Sequence, residues 1–459
     1  MKKTNQSARY IAIDILCRWE ESRLPADRLM DRYLAKAALA DPRDRQLIFS
    51  LVYGVLRWRG YLAWVVKKYS KQPLAKINNR ALHALMAGIF QLLFMDRIPA
   101  SAAVNETVQA LKKMKQPQWV AGFVNGILRS VDRERSNIPR PPDRNNVAAL
   151  PQTALLSHPQ WLIDRWRRRY GADGVRSMCL QNNTRAPICL RVNTALTSPA
   201  ALLKKLADNG LNAEAVKFSP LAIRIDDYHG PVTALAGFAE GLFQIQDEAA
   251  QLVSMLCGTP EPGKSYLDAC AGLGGKTSHL AQLLAPGSKL VAVEPNALRI
   301  KKLRQNLIRL QLAAAVTIVE GTLAALLPED NEKFARLLLD VPCSGLGVIR
   351  RHPDIRWNRK PADLLRYQEK QLGLLKEAAG LVAPAGVIIY ATCSTEPEEN
   401  DEVIEKFLAG QPQFVLSDCS GLLPEAGARL VDDRGYFRTL PGRDDLDGFF
   451  AARLMKLKS

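Results

Sequence analysis

A glycine-rich stretch at residues 267–277 (LDACAGLGGKT) constrains the fold more than any other part of the chain. A turn at 263–265 precedes it and an apolar run typical of a helix follows it, which predicts a strand, a glycine loop and a helix start. Glycines carry no Cβ and tolerate positive φ, so their backbone can approach a ligand closely. The stretch therefore predicts a cofactor-binding loop at the head of an α/β domain.

The spacing of the glycines limits the class of ligand that this loop can bind. A phosphate-binding P-loop requires G-x-x-x-x-G-K-[ST]; its end is present at 275–277, but Cys270 stands where the first glycine belongs. The dinucleotide pattern G-x-G-x-x-G also fails, because Gly272, Gly274 and Gly275 are spaced differently. The pattern favours a nucleoside-binding loop of the kind that holds S-adenosylmethionine, and an ordinary tight strand-to-helix turn remains the alternative.

The net charge predicts a polyanionic partner. The chain has 63 Lys and Arg residues against 46 Asp and Glu, a formal charge of +17. Cationic side chains release the counterions that a nucleic acid holds, which favours binding. A generally basic proteome or solubility alone is the alternative. The 459 residues suffice for two or three domains.

The cysteines and the apolar runs argue against several other classes of protein. There is no C-x-x-C pair and no histidine cluster, so neither a metal site nor a disulfide framework is expected. No uncharged run reaches the length of a membrane span, and Asp14 and Arg18 interrupt the first apolar stretch. We expect a cytoplasmic monomer with no membrane or metal partner. The eight cysteines are Cys17, Cys179, Cys189, Cys257, Cys270, Cys343, Cys393 and Cys419.

The first third of the chain has a helical pattern. Over residues 8–131, apolar side chains recur at spacings of three and four. Asp-Pro at 41–42 is typical of a helix start, and Ile-Pro at 98–99 interrupts an apolar helix. These features predict an all-α domain of about five to seven helices. Residues 133–143 (RERSNIPRPPD) are rich in charge and proline and are predicted as a linker, so this first domain with its linker spans 1–145.

The middle of the chain predicts a small α/β module at residues 146–236. Residues 188–194 have the pattern of a strand, 200–209 of a helix and 221–225 of a second strand. A short helix at 158–171 (HPQWLIDRWRRRYG) carries four arginines and two tryptophans. It either faces RNA or packs as an amphipathic helix whose arginines keep their charged ends in water.

From residue 237 to 459 strands alternate with helices, which predicts a mostly parallel sheet whose ligands bind beyond the carboxyl ends of the strands. Glu294 follows the second strand directly, where a carboxylate can accept hydrogen bonds from both hydroxyls of a ribose. The predicted strands are 265–269, 290–293, 316–319, 335–339 and 387–391, with a closing pair at 414–416 and 449–454.

Two cysteines reach the same edge of this predicted sheet. Cys343 lies in DVPCSG after the fourth strand, and Cys393 lies in YATCST after the fifth. Free cysteines are commonly small buried residues, which is the alternative to a reactive role. The polar residues that flank each cysteine argue against burial.

Several stretches resemble known families. Residues 44–60 (DRQLIFSLVYGVLRWRG), 88–109 (GIFQLLFMDRIPASAAVNETVQ) and 122–129 (GFVNGILR) resemble the NusB-like helical RNA-binding domain found at the front of some rRNA methyltransferases. The motifs LRVN, DVPCSG, GVIRRHPDIRW, YATCST and DGFFAARL resemble the RNA (cytosine-5) methyltransferases of the Fmu/Sun type. This resemblance implies an all-α NusB-like domain, a small α/β RNA-binding module and a Rossmann-like class I methyltransferase domain with a mostly parallel seven-stranded sheet.

The resemblance implies a role for each residue at the sheet edge. The implied substrate is a cytosine of 16S rRNA, whose carbon 5 is a poor nucleophile until a thiolate adds to carbon 6. Cysteine suits that step because its thiolate is strongly nucleophilic. By resemblance Cys393 is the nucleophile, Cys343 assists the later release of Cys393, and Asp340 binds the N3 and amino edge of the base.

The family's cofactor segment maps onto the glycine loop, and the implied cofactor is S-adenosylmethionine. After strand three the family usually carries an aspartate that accepts from the adenine amino group. Here Thr322 stands at that position and Glu320 lies two residues earlier, so the adenine contact stays open between them. Cys270 is interpreted as a packed loop residue, and Lys276 either contacts Asp340 or the substrate or is solvated. The cofactor-binding residues are Cys270, Ala271, Gly272, Leu273, Gly274, Gly275, Lys276, Glu294, Thr322 and Asp340.

Two groups of basic residues are candidate phosphate contacts. Arg57, Arg59 and Arg129 form either a solvated rim of the helical domain or an RNA-binding face. Residues 350–352 (RRH) either reach RNA phosphate or form a capped turn with solvated arginines.

Two alternative functions agree less well with these motifs. An amino-group methyltransferase would carry an N/D-P-P-Y/F tetrapeptide after strand four, and DVPC lacks its second proline and its aromatic residue. A non-catalytic RNA-binding or antitermination factor built on the helical domain would not need Asp340, Cys343 and Cys393 together.

Overall fold

The computed structural model of the protein describes residues 6–36, 41–141, 151–326 and 333–458. The end of the predicted linker and the boundary near residue 145 lie outside these ranges. The helices are α1 (Ala8–Ser22), α2 (Ala26–Lys36), α3 (Pro42–Arg57), α4 (Arg59–Tyr69), α5 (Asn79–Phe94), α6 (Ala100–Lys113), α7 (Gln118–Arg133), α8 (Gln152–Leu155), α9 (Gln160–Asn182), α10 (Pro199–Asp208), α11 (Glu248–Met255), α12 (Gly275–Leu283), α13 (Ala297–Arg309), α14 (Ile355–Asn358), α15 (Pro361–Leu381), α16 (Asp401–Gly410) and α17 (Glu425–Ala428).

The strands are β1 (Ile188–Val192), β2 (Ala213–Ala215), β3 (Ala222–Ile225), β4 (Phe243–Ile245), β5 (Ser265–Asp268), β6 (Lys289–Glu294), β7 (Val316–Glu320), β8 (Phe334–Asp340), β9 (Val382–Thr392), β10 (Phe414–Ser417), β11 (Phe437–Arg438) and β12 (Phe450–Lys456). The chain divides into two compact units. The first, the helical unit, comprises Met1–Arg185 and Ile349–Arg359; the second, the sheet unit, comprises Ala186–Val348 and Lys360–Ser459.

The helical unit confirms the predicted all-α pattern. Helices α1–α7 cover residues 8–133, and their apolar faces share one core that includes the fully buried Trp19 and Tyr61. Helix α3 begins at the predicted Asp-Pro pair, because the Asp41 carboxylate accepts from the backbone N–H of Arg43 at 2.8 Å. The described part of the predicted linker packs on this core, since Ile138 is buried in it.

The first sheet of the sheet unit is small and antiparallel, with the order β2-β3-β1-β4. Leu190, Val192, Ile223 and Phe243 fill its core, and α10 covers it. The sequence predicted β1, α10 and β3 but not β2 or β4, because three residues carry too little alternation to be recognised as a strand.

The second sheet confirms the predicted mostly parallel fold. Its order is β10-β12-β9-β8-β5-β6-β7, with β11 paired to β12 as a two-residue addition. The five strands from β9 to β7 are parallel, and β12 runs antiparallel to both β9 and β10. All seven predicted strands are present. Helix α9 is longer than predicted and breaks at Gly171, whose φ is 72°.

Candidate active site

Five parallel strands end at one edge of the large sheet, and the last residue of each strand is polar. Because parallel strands share a direction, their carboxyl ends meet at that edge, where open α/β sheets bind ligands. Cys343 follows the end of β8 and Cys393 follows the end of β9 directly. The five terminal residues are Asp268 (β5), Glu294 (β6), Glu320 (β7), Asp340 (β8) and Thr392 (β9).

The glycine loop joins β5 to α12 in a conformation that needs glycine. Gly272 has φ +57° and Gly274 has φ +86°, and a Cβ on Gly274 would lie 2.4 Å from Leu303 Cδ1. Asp268, which was not among the predicted site residues, connects the end of β5 to the first turn of α12. Its carboxylate accepts a hydrogen bond from Thr277 Oγ1 at 2.6 Å. No side chain caps the N-terminus of α12 among the described residues, so its first N–H groups suit an anionic group.

Glu294 lies beside this loop with an exposed fraction of 3%. One carboxylate oxygen accepts from the backbone N–H of Gly272 at 3.0 Å and the other from that of Asn296 at 2.9 Å. A carboxylate accepts about four hydrogen bonds. These two bonds fix its orientation and leave acceptor capacity for a pair of hydroxyls.

Lys276 and Asp340 form an ion pair at the edge, with Nζ to Oδ2 at 2.6 Å. The ammonium also lies 5.3 Å from the centre of the Phe449 ring. Burial lowers the pKa of Lys276, but the Asp340 carboxylate and its hydrogen bond outweigh burial, so the pKa is raised above its ordinary value. Cys393 also raises the pKa of Lys276, which indicates that the positive charge of Lys276 lies close to that thiol.

The two cysteines meet at the edge, with their sulfur atoms 3.1 Å apart. Both side chains are partly exposed, which agrees with the expectation from their polar flanks. The hydrogen bond to Cys393 and burial raise the pKa of the Cys343 thiol well above its ordinary value. The raised pKa favours the protonated form of Cys343, and either thiol can donate the hydrogen bond between the two sulfur atoms.

Cys270 differs from this pair. Its side chain is partly exposed and packs against one of the cores of the large sheet. Burial and the carboxylates of Asp268, Asp340 and Glu294 raise the pKa of its thiol. A thiol that resists ionisation is a poor nucleophile, which supports the interpretation of Cys270 as a packed loop residue.

The buried carboxylate of Glu399, which was not among the predicted site residues, lies next to the loops that carry the two cysteines. Glu399 is fully buried and accepts hydrogen bonds from Ser344 and Ser394, the residues that follow Cys343 and Cys393. The sequence signal was the run EPEEND after the fifth strand, in which no acid stands out from its neighbours. Only the fold distinguishes Glu399 from the others.

The candidate adenine contacts lie at the end of β7. The side chains of Glu320 and Thr322 are both exposed, and the Thr322 carbonyl accepts from the N–H of Ala325 at 3.0 Å. Both residues thus border the same edge, and their roles remain predictions.

The segment Ile349–Arg359 belongs to the helical unit, although it follows the Cys343 loop in sequence. Arg356 is fully buried there and donates to the carbonyls of Ser157 and Asn182 and to the Asn183 side chain. Arg350, a candidate phosphate contact, accepts at its carbonyl from Arg57 at 3.0 Å. The segment is therefore anchored in the helical unit by its own side chains.

Two candidate phosphate contacts of the helical domain have partners within the helical unit. Arg57 binds the Arg350 carbonyl, and Arg59 pairs with Glu20 and lies over the rings of Trp19 and Trp357. They are therefore not a solvated rim. Arg129 is exposed and donates to Asn125 at 3.3 Å.

The described ranges contain neither a cluster of metal ligands nor a membrane-spanning helix. No group of three or more His, Cys, Asp or Glu side chains there could hold a metal ion. No helix in the same ranges is both long enough and apolar enough to cross a membrane.

Three family models match this chain in the order of its domains. The NusB family matches residues 6–133, a Methyltr_RsmF/B-like ferredoxin-like domain matches 158–233, and the 16S rRNA methyltransferase RsmB/F model matches 255–455. The last match covers the strand-end residues and both cysteines. A non-catalytic antitermination factor is therefore not favoured.

Relatives and solved structures agree with these matches. Ribosomal RNA small subunit methyltransferase B of Cronobacter sakazakii is 36% identical over 415 residues, covering 90% of this chain and 91% of the relative. The protein of the same name from Salmonella paratyphi B is 35% identical, with the same coverage. The crystal structure of PH0851 aligns over 99% of this chain and 100% of its own, with a TM-score of 0.77 at 23% identity, and supports the fold. A methyltransferase homologue from Pyrococcus horikoshii aligns over 67% of this chain and 98% of its own, with a TM-score of 0.56 at 27% identity. With this similarity over nearly its whole length, the chain belongs to the RsmB/F family of 16S rRNA methyltransferases.

Proposed function

We propose that this protein transfers a methyl group from S-adenosylmethionine to carbon 5 of a cytosine in 16S rRNA, through a covalent bond between Cys393 and carbon 6 of the base. The observation that carries the proposal is the pair of thiols 3.1 Å apart at the ends of two adjacent parallel strands. An ion pair and a cofactor-type glycine loop lie at the same edge. The names of the relatives support rRNA as the substrate.

The residues of the edge fit S-adenosylmethionine. Glu294 has acceptor capacity for the ribose hydroxyls, and the uncapped N-terminus of α12 suits the carboxylate. Gly272 and Gly274 allow close approach, and Thr322 or Glu320 is the acceptor for the adenine amino group. When bound, S-adenosylmethionine supplies an electrophilic methyl group to the activated base.

Cys393 starts the reaction. Its thiolate adds to carbon 6 of the cytosine, which turns carbon 5 into a nucleophile. The Lys276 ammonium lies near Cys393, and a nearby positive charge favours the attack of a thiolate nucleophile. Asp340 holds Lys276 and binds the N3 and amino edge of the base, where charge develops during the addition.

Cys343 ends the reaction. After methylation the proton on carbon 5 must leave and the bond from Cys393 to carbon 6 must break, which restores the aromatic ring. The Cys343 sulfur lies next to that of Cys393 and assists this release. To reach both thiols the target base must be turned out of its stack, as enzymes that act on bases require. A cytoplasmic monomer is the expected form.

Substitution of the nucleophile tests the proposal. Cys393→Ala should reduce methyl incorporation into carbon 5 of cytosine by at least about 10⁴-fold, because covalent activation is lost. Nucleoside mass spectrometry of 16S rRNA treated with the purified protein and cofactor measures the product. The matched control is Cys419→Ala, which removes a buried thiol outside the edge and should retain activity. Unchanged methylation by Cys393→Ala would refute the mechanism.

A further inference from the structure

Glu399 joins the two cysteine loops through a single buried carboxylate. One oxygen accepts from the backbone N–H of Ser344 at 2.7 Å and from Gln371 Nε2 at 3.1 Å. The other accepts from the hydroxyls of Ser344 and Ser394, each at 2.5 Å. Four donors fill the acceptor capacity of the carboxylate. Ser344 and Ser394 directly follow Cys343 and Cys393, so Glu399 fixes both loops at the residue next to each thiol.

The neighbours of Glu399 hold this arrangement in place. Gln371 also donates to the carbonyl of Pro342, the residue before Cys343, at 3.0 Å. Tyr390, near the end of β9, donates to the backbone carbonyl of Glu399 at 2.6 Å. Gln371 and Tyr390 are fully buried. The loops therefore cannot separate without breaking several buried hydrogen bonds.

The donors also determine the charge of this site. Burial raises the pKa of Glu399, and the hydrogen bonds from Ser344, Ser394 and Gln371 oppose this rise. The Ser344 N–H and the Gln371 Nε2 group can only donate, and the ionised carboxylate is the form that accepts from all four donors. All four donors are neutral, so the negative charge of Glu399 has no cation among them. Lys276, which forms an ion pair with Asp340, lies near Cys393.

This charge distinguishes two otherwise similar thiols. The hydrogen bond to Cys393 and burial are the main causes that raise the pKa of Cys343, and the Glu399 carboxylate raises it further. Cys393 instead lies near the Lys276 ammonium. A nearby anion favours the protonated form of Cys343, whereas a cation lies near Cys393.

We propose that Glu399 is a positioning residue that holds the Cys343 and Cys393 loops together and places its negative charge next to the Cys343 loop, so that the two thiols lie in different electrostatic surroundings. The inference rests on the proposed function, because it explains how neighbouring cysteines take different roles in it. Its test needs neither RNA nor cofactor, so its failure is distinguishable from failure of the proposed function.

The test measures the ionisation of Cys343 in the full-length protein. In a Cys393→Ser background, alkylation of Cys343 by iodoacetamide is followed by peptide mass spectrometry between pH 6 and 10. Glu399→Gln, which removes the charge with little change of shape, should lower the pH of half-maximal alkylation by one unit or more. The alkylation rate at pH 8 then rises about tenfold. Glu399→Asp keeps the charge and should stay closer to the Cys393→Ser parent than Glu399→Gln does.

The matched control is Glu402→Gln, the same charge change on α16, where the carboxylate contacts Gln368 and Lys406. It should leave the Cys343 midpoint unchanged. Equal midpoints for Glu399→Gln and its parent would overturn the proposal, as would equal effects of the Gln and Asp variants. If Glu399→Gln does not fold, Glu399→Asp is compared with the Cys393→Ser parent instead. It keeps the charge, so its Cys343 midpoint should stay within about half a unit of the parent, and a fall of one unit or more would overturn the proposal.

Discussion

At the scale of single residues, the candidate site depends on differences between chemically similar groups. Cys270, Cys343 and Cys393 lie along one sheet edge, but their surroundings differ. Carboxylates lie near Cys270, a hydrogen bond joins the sulfur atoms of Cys343 and Cys393, and a lysine lies near Cys393. Surroundings of this kind control the reactivity of a thiol.

The release role of Cys343 gives a direct prediction. Cys343→Ala should leave addition by Cys393 intact but slow the breakdown of the adduct, so a protein–RNA complex that resists denaturation should accumulate when cofactor is present. Denaturing gel electrophoresis with labelled 16S rRNA detects it. Cys393→Ala in the same assay should form no such complex. If Cys343→Ala also forms none, Cys343 has no part in release.

Asp268 gives a prediction about pH and stability. Burial raises its pKa to about 6, against an ordinary value of 3.8. Between these two pH values the unfolded chain has lost the Asp268 proton while the native protein still keeps it. The contribution of Asp268 to stability is therefore fully present below pH 3.8 and is lost as the pH rises through 6. Asp268→Asn removes the titration. Its free energy of unfolding relative to the wild type should therefore rise by about 2 kcal/mol from pH 4 to 6.

Urea unfolding at several pH values, without cofactor, measures this difference for Asp268→Asn. Asp418→Asn is a control, since Asp418 lies outside the edge and hydrogen bonds to Ser420 lower its pKa. Its stability relative to the wild type should not rise over the same interval. The prediction would be contradicted if the difference in free energy of unfolding between Asp268→Asn and the wild type did not change with pH.

At the scale of elements, the junction between β5 and α12 combines a strained turn with a helix start. Gly274→Ala places a Cβ at φ +86° and 2.4 Å from the Leu303 side chain. We expect a loss of about 1–3 kcal/mol of stability and weaker binding of S-adenosylmethionine, because the loop must shift. Thermal unfolding and calorimetric titration measure the two effects.

The neighbouring glycine provides the comparison for Gly274. A Cβ on Gly275 would meet no atom within 4 Å, and its φ is not positive. Gly275→Ala at the start of α12 should therefore be neutral or stabilise the protein by up to about 1 kcal/mol. If both variants lose the same stability, the strain at Gly274 is not the cause.

At the scale of the whole molecule, the charge of +17 predicts how RNA binding depends on salt. If lysines and arginines contact the phosphates, each contact releases counterions, and affinity for a 16S rRNA fragment should fall about tenfold or more between 50 and 200 mM salt. Fluorescence anisotropy at fixed pH measures this. The same titration with Arg129→Ala should show a smaller salt dependence if that exposed arginine touches phosphate. An affinity that is independent of salt would exclude this electrostatic mode.

The sequence by itself determined the architecture and the sheet edge at which the candidate site residues lie. Periodicity separated the helices from the strands because side-chain burial repeats differently in the two, and the glycine loop, Glu294, Asp340 and the two cysteines could be placed because parallel strands end at one edge. The residues that orient them could not. Asp268 and Glu399 act through hydrogen bonds from side chains that the fold brings to them, and a lone acid shows no pattern until the chain has folded. The tertiary structure alone decided these roles, because burial converts an ordinary polar side chain into a group that must be satisfied by its neighbours.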